Sequence, residues 1–403
     1  MKCRLLHILL LTFATLMASV SSLSAKEQYV DPVFGDTIDR TAEDFVKVSL
    51  LVADPGTYLY SVLGHACLRM QCPIFNMDYC FSYESIAEED DIVEFFMNRL
   101  NAGLFRQETK EYCKYYQAEN RGVYEYKLNL PPSVEQELWR TLDNLSAKGA
   151  DAPYDYYYNG CAITCVRLLE KALGDATIKY DSSLYVTTPT GRDLVKKFTK
   201  NALWVRFVLC YIAGNDVDNP LFGEKQLLIP VDVVEAWQRA TINGVPLLEK
   251  EPNILVIGEP QIIDGWLTPL VVMLLVLCLS LANLFWGRPY FDWLMLAIQT
   301  VIGAFMMYLI CFSNLCHTDW NWLIVPFNIL PAIAWRWRKY WSLSYVCMLI
   351  IWCLVMAYMA IWGHVLVDWP HIILVVAWVV ILLKQTPVYD ALFTHYKRTI
   401  NAQ

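Results

Sequence analysis

Histidine is nearly absent from the first two thirds of this chain: residues 26–264 hold a single one, His65. One His and cysteines without close paired spacing do not make a zinc signature, so neither metal nor other cofactor is expected. If a thiol here is activated by imidazole, its base must be His65 or a His supplied from a membrane loop. A basic surplus is missing too, with 32 Lys and Arg against 40 Asp and Glu and a net charge of −8. That balance argues against nucleic acid as a partner, because binding it depends on neutralising phosphates. Internal repeats and low-complexity linkers are absent, and 403 residues fit one soluble domain plus a membrane domain.

What is present begins with Lys2 and Arg4, the apolar stretch Leu5 to Met17, and small residues ending in Leu23-Ser24-Ala25. That order reads as a secretory signal over residues 1–25 cleaved after Ala25, with retention as an anchor the alternative because Leu23 is not a small residue, and no Cys follows a lipobox-like run. From Gly265 the composition turns apolar, with spans expected at about 266–286, 293–312, 320–335, 341–363 and 368–384. Trp marks their edges, as at a membrane interface. Arg288, then Arg336, Arg338 and Lys339, then Lys384, Lys397 and Arg398 lie in alternate connections, whereas Ser313–Asp319 and Gly363–Asp368 contain no Lys or Arg. By the positive-inside rule, residues 26–264 face the periplasm and residues 386–403 form a cytoplasmic tail. The expected layout is a multi-pass inner-membrane protein whose helical membrane domain covers residues 265–385.

The exported part reads as α+β. Val46–Ala53 is β-branched and closed by Pro55-Gly56, a second strand-like piece runs through Leu63, Ala66, Leu68 and Met70, and Asp78–Glu84 is a third by its aromatics. Glu88–Leu100 reads as a helix, and Gly122–Leu130 alternates as a half-buried strand. Pro131-Pro132-Ser133 then opens a helix with Leu138, Trp139, Leu142 and Leu145 on one stripe. A further helix begins at Cys161, after Asn159-Gly160, with Ala162, Val166, Leu169 and Leu173 at helical spacing. Seven cysteines fall in this region, an odd number, and Cys72 and Cys80 flank a short turn that suggests a bridge in an oxidising compartment.

A Cys in the first turn of a helix meets unpaired backbone N–H groups and the positive end of the dipole, both favouring thiolate. Cys161 is therefore the candidate nucleophile, weighed against the buried small hydrophobe that Cys commonly is. Cys165, one turn deeper, reads as core. Ser82 and Glu84, on the strand after His65, are candidates to orient the imidazole, or ordinary strand polar residues. Arg69 and Arg121 suit phosphate or carboxylate, or plain ion pairs. His317, Asp319 and Asn321 sit in the loop before the third span, where polar groups beside a membrane help to bind substrate or anchor at the interface.

Gly64-His-Ala-Cys-Leu-Arg69, Asp78–Glu84, the stretch from Gly103–Arg106 to Arg121-Gly122, Asn159–Thr164 and the membrane segment His317–Pro331 resemble the Lnb-type lipoprotein N-acyltransferases, across both parts of the chain. The resemblance implies a permuted papain-like (NlpC/P60-like) domain followed by about five transmembrane helices. It further implies a Cys-His site, Cys161 with His65, that moves a fatty acyl chain from phospholipid to the α-amino group of a diacylglyceryl-cysteine lipoprotein. The chain departs from its relatives in having Gly160 directly before Cys161 and Thr164-Cys165 after it; Cys161 is preferred for its place at the helix start. The rivals are a membrane-anchored cysteine hydrolase, acting on cell wall or phospholipid, and a non-catalytic membrane scaffold.

Overall fold

The computed structural model describes residues 28–30, 37–39, 45–58, 60–85, 94, 97, 99–149, 152, 153, 155, 158–259, 264–286, 288–313, 350, 354, 357, 368–387, 389 and 391. The signal segment and the loop with His317, Asp319 and Asn321 lie outside them, as do most of the helix expected at Glu88–Leu100 and of the third and fourth spans.

Two short strands, β1 (Gln28–Val30) and β2 (Thr37–Asp39), pair with each other. The main sheet takes β3 (Lys47–Ala53), β4 (His65–Cys72), β5 (Met77–Ser85), β6 (Asn101–Glu108), β7 (Val123–Lys127), β8 (Ala152–Pro153) and β11 (Asn253–Val256). Its order is β11-β7-β3-β4-β5-β6-β8, antiparallel throughout. β9 (Thr241–Ile242) and β10 (Val245–Pro246) form a separate hairpin. β3 is central, and after exposed Lys47 every residue is buried, which is why it reads as a continuous apolar run rather than an alternating one.

Helices cover both faces. α1 (Thr109–Ala118) lies over one, where Tyr112 and Tyr116 pack with Leu51, Ala53, Cys67, Cys80 and Val123. On the other, α2 (Pro132–Lys148) and α3 (Cys161–Leu173) set Leu138, Leu142, Val166 and Leu169 against Leu50, Ala66, Leu68, Met70 and Phe81. The expected strand at Gly122–Leu130 and the helices at Pro131 and Cys161 are thus present, whereas β6, α1 and three helices beyond α3 go unmarked in the sequence pattern. Those three are α4 (Gly191–Phe198), α5 (Leu203–Ile212) and α6 (Pro230–Arg239), whose Trp237 is fully enclosed in the core.

The two faces also dispose of the expected Cys72–Cys80 bridge. Side chains alternate across a sheet. Cys80 is paired with Arg69 and faces α1, whereas Cys72 follows Ala66, Leu68 and Met70 on the face of α3. Both thiols are free, and so are Cys67, Cys113, Cys161, Cys165 and Cys210.

The chain then enters three apolar helices: α7 (Pro269–Trp286), α8 (Pro289–Phe312) and α9 (Trp369–Lys384). Among the described residues two are long and apolar enough to cross a membrane, Pro269–Trp286 and Tyr290–Phe312. α9 is shorter, at 16 residues. The five expected spans therefore have two described counterparts of full length and one short one. At one end of this group Lys384 Nζ meets Asp292 Oδ2 at 2.5 Å, Asn283 Nδ2 donates to Asp292 Oδ1 at 2.7 Å, and Tyr389 donates to the Leu284 carbonyl. The end of α7, the start of α8 and the end of α9 therefore meet there.

Candidate active site

His65 owes its position to a turn. Asp54 to Gly64 leaves β3 and returns into β4, and Gly64 makes the last step with φ of +79°. A Cβ on Gly64 would stand 2.8 Å from the Ala53 carbonyl oxygen, so glycine alone lets the strands close with Ala53 opposite His65. The loop is pinned by the Gly56 N–H donating to the Ser61 carbonyl and by the Ser61 hydroxyl donating to the Tyr58 carbonyl.

Cys161 is the first residue of α3, with Gly160 as an extended cap that offers no side chain. Its approach is fastened on several sides. Asn159 donates to the Tyr83 hydroxyl at 2.9 Å, Arg167 donates to Asn159 Oδ1 and to the Tyr158 carbonyl, and the Tyr158 N–H donates to Asp155. The sequence pattern marks Asn159 only as a helix-breaking position and does not single out Arg167 or Asp155.

The two ends meet at the start of β4. Burial pushes the Cys161 thiol up, the backbone N–H groups of Ala66, Ala162 and Cys161 pull it back, and the Glu84 carboxylate pushes it up further. Ala66 is the residue after His65, so the sulfur lies against the same strand end that carries the imidazole. His65 Nε2 is 2.6 Å from Ser82 Oγ, and Ser82 donates in turn to Glu84 Oε2 at 3.3 Å. With the Ser82 hydroxyl given to the carboxylate, Nε2 carries the proton donated to Ser82, and the lone pair is on Nδ1. Among the described residues no hydrogen bond joins His65 to Cys161. Burial, then the nearby Arg121 cation, hold the imidazole down at about 4, neutral in the physiological range. Burial raises Glu84, with the Ser82 hydrogen bond opposing it. The thiol and the imidazole are thus both neutral groups at the same strand end, with no standing ion pair between them.

The other candidate residues fall elsewhere. Arg69 is on the α1 face, held by Asp78 through two hydrogen bonds and by Glu125 at 2.7 Å, in a network that also takes in Thr109 and Asn253. Arg121 is 2% exposed, neither a surface residue nor open to bulk solvent. It donates to the Asp54 carbonyl and to Glu119 and covers the Tyr116 ring at 4.6 Å, while Nη2 is buried with no hydrogen-bond partner among the described residues. Cys165 is buried in the core beneath Cys161, and burial with that neighbour raises its thiol. Among the described residues no group of three His, Cys, Asp or Glu could hold a metal ion.

Comparison with curated proteins and with solved structures found no match. Residues 38–197 match the family described as the Lnb N-terminal periplasmic domain, a stretch that takes in the sheet from β3 to β8, the helices from α1 to α3, and both His65 and Cys161. The domain that carries this site therefore belongs to the Lnb N-terminal periplasmic domain family.

Proposed function

We propose that this protein is a lipoprotein N-acyltransferase working by a Cys161 thioester. The observation that carries the reading is Cys161 at the first position of α3, its sulfur among the backbone N–H groups of Ala66 and Ala162, at the strand end that bears His65. His65 Nδ1 takes the thiol proton as the sulfur attacks an ester carbonyl of a phospholipid. The N–H groups at the helix start receive the oxyanion. Collapse breaks the ester C–O bond, the imidazolium returns the proton to the leaving glyceryl oxygen, and lysophospholipid departs. The α-amine of a diacylated lipoprotein then attacks the thioester, His65 takes the amine proton, and the thiol is regenerated as the amide forms. Ser82 and Glu84 hold the imidazole in the tautomer this needs. The apolar helices α7 and α8 support a reading in which both lipid substrates arrive through the membrane.

The test uses purified full-length protein and phospholipid without acceptor. One acyl chain should appear on Cys161, labile to hydroxylamine, with lysophospholipid released. A diacylated lipopeptide with a free α-amine should then discharge it faster than the N-acetylated peptide does. Equal decay with either peptide identifies a hydrolase, and the absence of any Cys161 adduct removes the proposal.

A further inference from the structure

α5 is an odd helix for the surface of a water-soluble domain: Leu203-Trp-Val-Arg-Phe-Val-Leu-Cys-Tyr-Ile212 has nine apolar residues in ten. Leu209, Cys210, Tyr211 and Ile212 are buried in a cluster that runs without a break into α7, α8 and α9 through Met273, Met295, Leu309, Leu374 and Trp378. The first half of the helix is more open. Trp204 and Val208, one turn apart and so on the same face, are 37% and 38% exposed.

The polar contacts of the first half of α5 tie it to the starts of α7 and α9. Asp264, just before α7, accepts from the backbone N–H groups of Leu203 and Trp204 and so caps the helix. The Trp204 indole N–H donates to the Leu267 carbonyl at 2.9 Å. Arg206 binds the Asp368 carboxylate at the cap of α9, with Lys196 nearby. His371, in the first turn of α9, lies 2.9 Å through Nε2 from the Phe207 carbonyl and stacks on the Phe207 ring at 4.2 Å. The same level carries Trp266, 80% exposed, and Trp369, 72% exposed. Indoles that mark the ends of membrane helices sit at the headgroup level.

We propose that α5 is an interfacial helix whose Trp204–Val208 face lies in the outer leaflet beside α7 and α9, so that the periplasmic domain rests on the lipid surface. Phospholipid is the occupant because this exposed pair sits on a helix bonded to the starts of α7 and α9, at the level of the exposed indoles Trp266 and Trp369. The exposed pair is apolar where a water-facing surface carries charge. The same cluster reaches Tyr158, three residues before Cys161, so a helix seated in lipid sets the site close above the leaflet. The inference rests on α7 and α9 being membrane helices and does not depend on the chemistry at Cys161, so either can fail alone.

The experiment places p-benzoyl-phenylalanine at 204 or 208 in the full-length protein in phosphatidylethanolamine and phosphatidylglycerol vesicles, with illumination and mass spectrometry of the adducts. Position 274, exposed on α7, and position 74, exposed beyond the far end of β4 from His65, serve as references. Phospholipid adducts at both 204 and 208, comparable to those at 274 and roughly tenfold above those at 74, are expected for a face held in the interface. Protein adducts at 208 would assign the face to a partner chain and overturn the proposal. So would yields at 204 and 208 no higher than at 74, or an absence of lipid adducts at 274, which would take away the membrane helix on which the proposal stands.

Discussion

At the scale of residues, the site turns on which protonation states are available. A raised thiol beside an imidazole held near 4 leaves both groups neutral at pH 7. Alkylation of Cys161 by iodoacetamide should therefore keep rising through pH 9, and a rate already flat from pH 5 to 7 would reveal a preformed ion pair instead. Stability carries the same signature. Between about 6.5, the ordinary histidine value, and about 4, the unfolded chain binds a proton at His65 that the folded chain refuses. Stability contributed there falls as the pH drops through that window and is unaffected above it. Denaturant midpoints of the wild type and His65→Gln, compared at pH 7 and pH 5, should converge on the acid side. His65→Ala should slow acyl-enzyme formation by roughly 10²–10⁴-fold, as expected for loss of a general base. Ser82→Ala should cost less and Ser82→Thr less still, because only the tautomer is at stake; equal rates for the wild type, Ser82→Ala and Ser82→Thr in single-turnover assays would remove Ser82 from the site. The Ser82 contact was within reach of the sequence, since a hairpin turning at Pro73–Asn76 sets Ser82 opposite Cys67, two positions from His65. The role of Ala66 was not, because a backbone N–H leaves no mark on residue identity.

Among elements, α3 was legible because its apolar residues repeat at helical spacing directly after Asn159-Gly160, whereas α4 and α5 were not. Ten residues almost without charge give no periodicity to read, and the charges that hold α5 are 162 positions away, Arg206 against Asp368. Arg192 shows the same limit. It is 3% exposed, binds Asp218 through two nitrogens, and donates to the carbonyls of Cys210, Ala213 and Gly214, so one side chain on α4 satisfies the open C-terminal end of α5. Removing it leaves Asp218 and those carbonyls without their partner. Arg192→Ala should cost about 3–5 kcal/mol, the range for breaking a buried pair. Thermal unfolding in detergent checks this, and Lys114→Ala, whose pair with Glu111 is exposed at both ends, should by comparison change little.

For the whole molecule, the order of helix ends constrains how the chain threads the membrane. α7 and α9 both begin where α5, Asp264 and Asp368 lie, and both end beside the Asn283–Asp292–Lys384 group where α8 begins. They run parallel to each other and antiparallel to α8. If these helices cross the membrane as proposed, with the family's periplasmic domain preceding α7, that helix would run toward the cytoplasm, α8 back and α9 inward again, with Lys384 at its inner end and few Lys or Arg in the outer connections. A chain that leaves α8 and enters α9 on one side crosses an even number of times between residues 313 and 368, and the sequence expects two crossings there. Reporter fusions should therefore read periplasmic after residue 250 and cytoplasmic after residue 395, and the fusion after residue 338 decides the number of spans. A cytoplasmic signal at 338 gives five, whereas a periplasmic one leaves three with α7, α8 and α9 unchanged. Signals from 250 and 395 on the same side would contradict the parallel course of α7 and α9, and with it the placement of the Cys161 site above the outer leaflet.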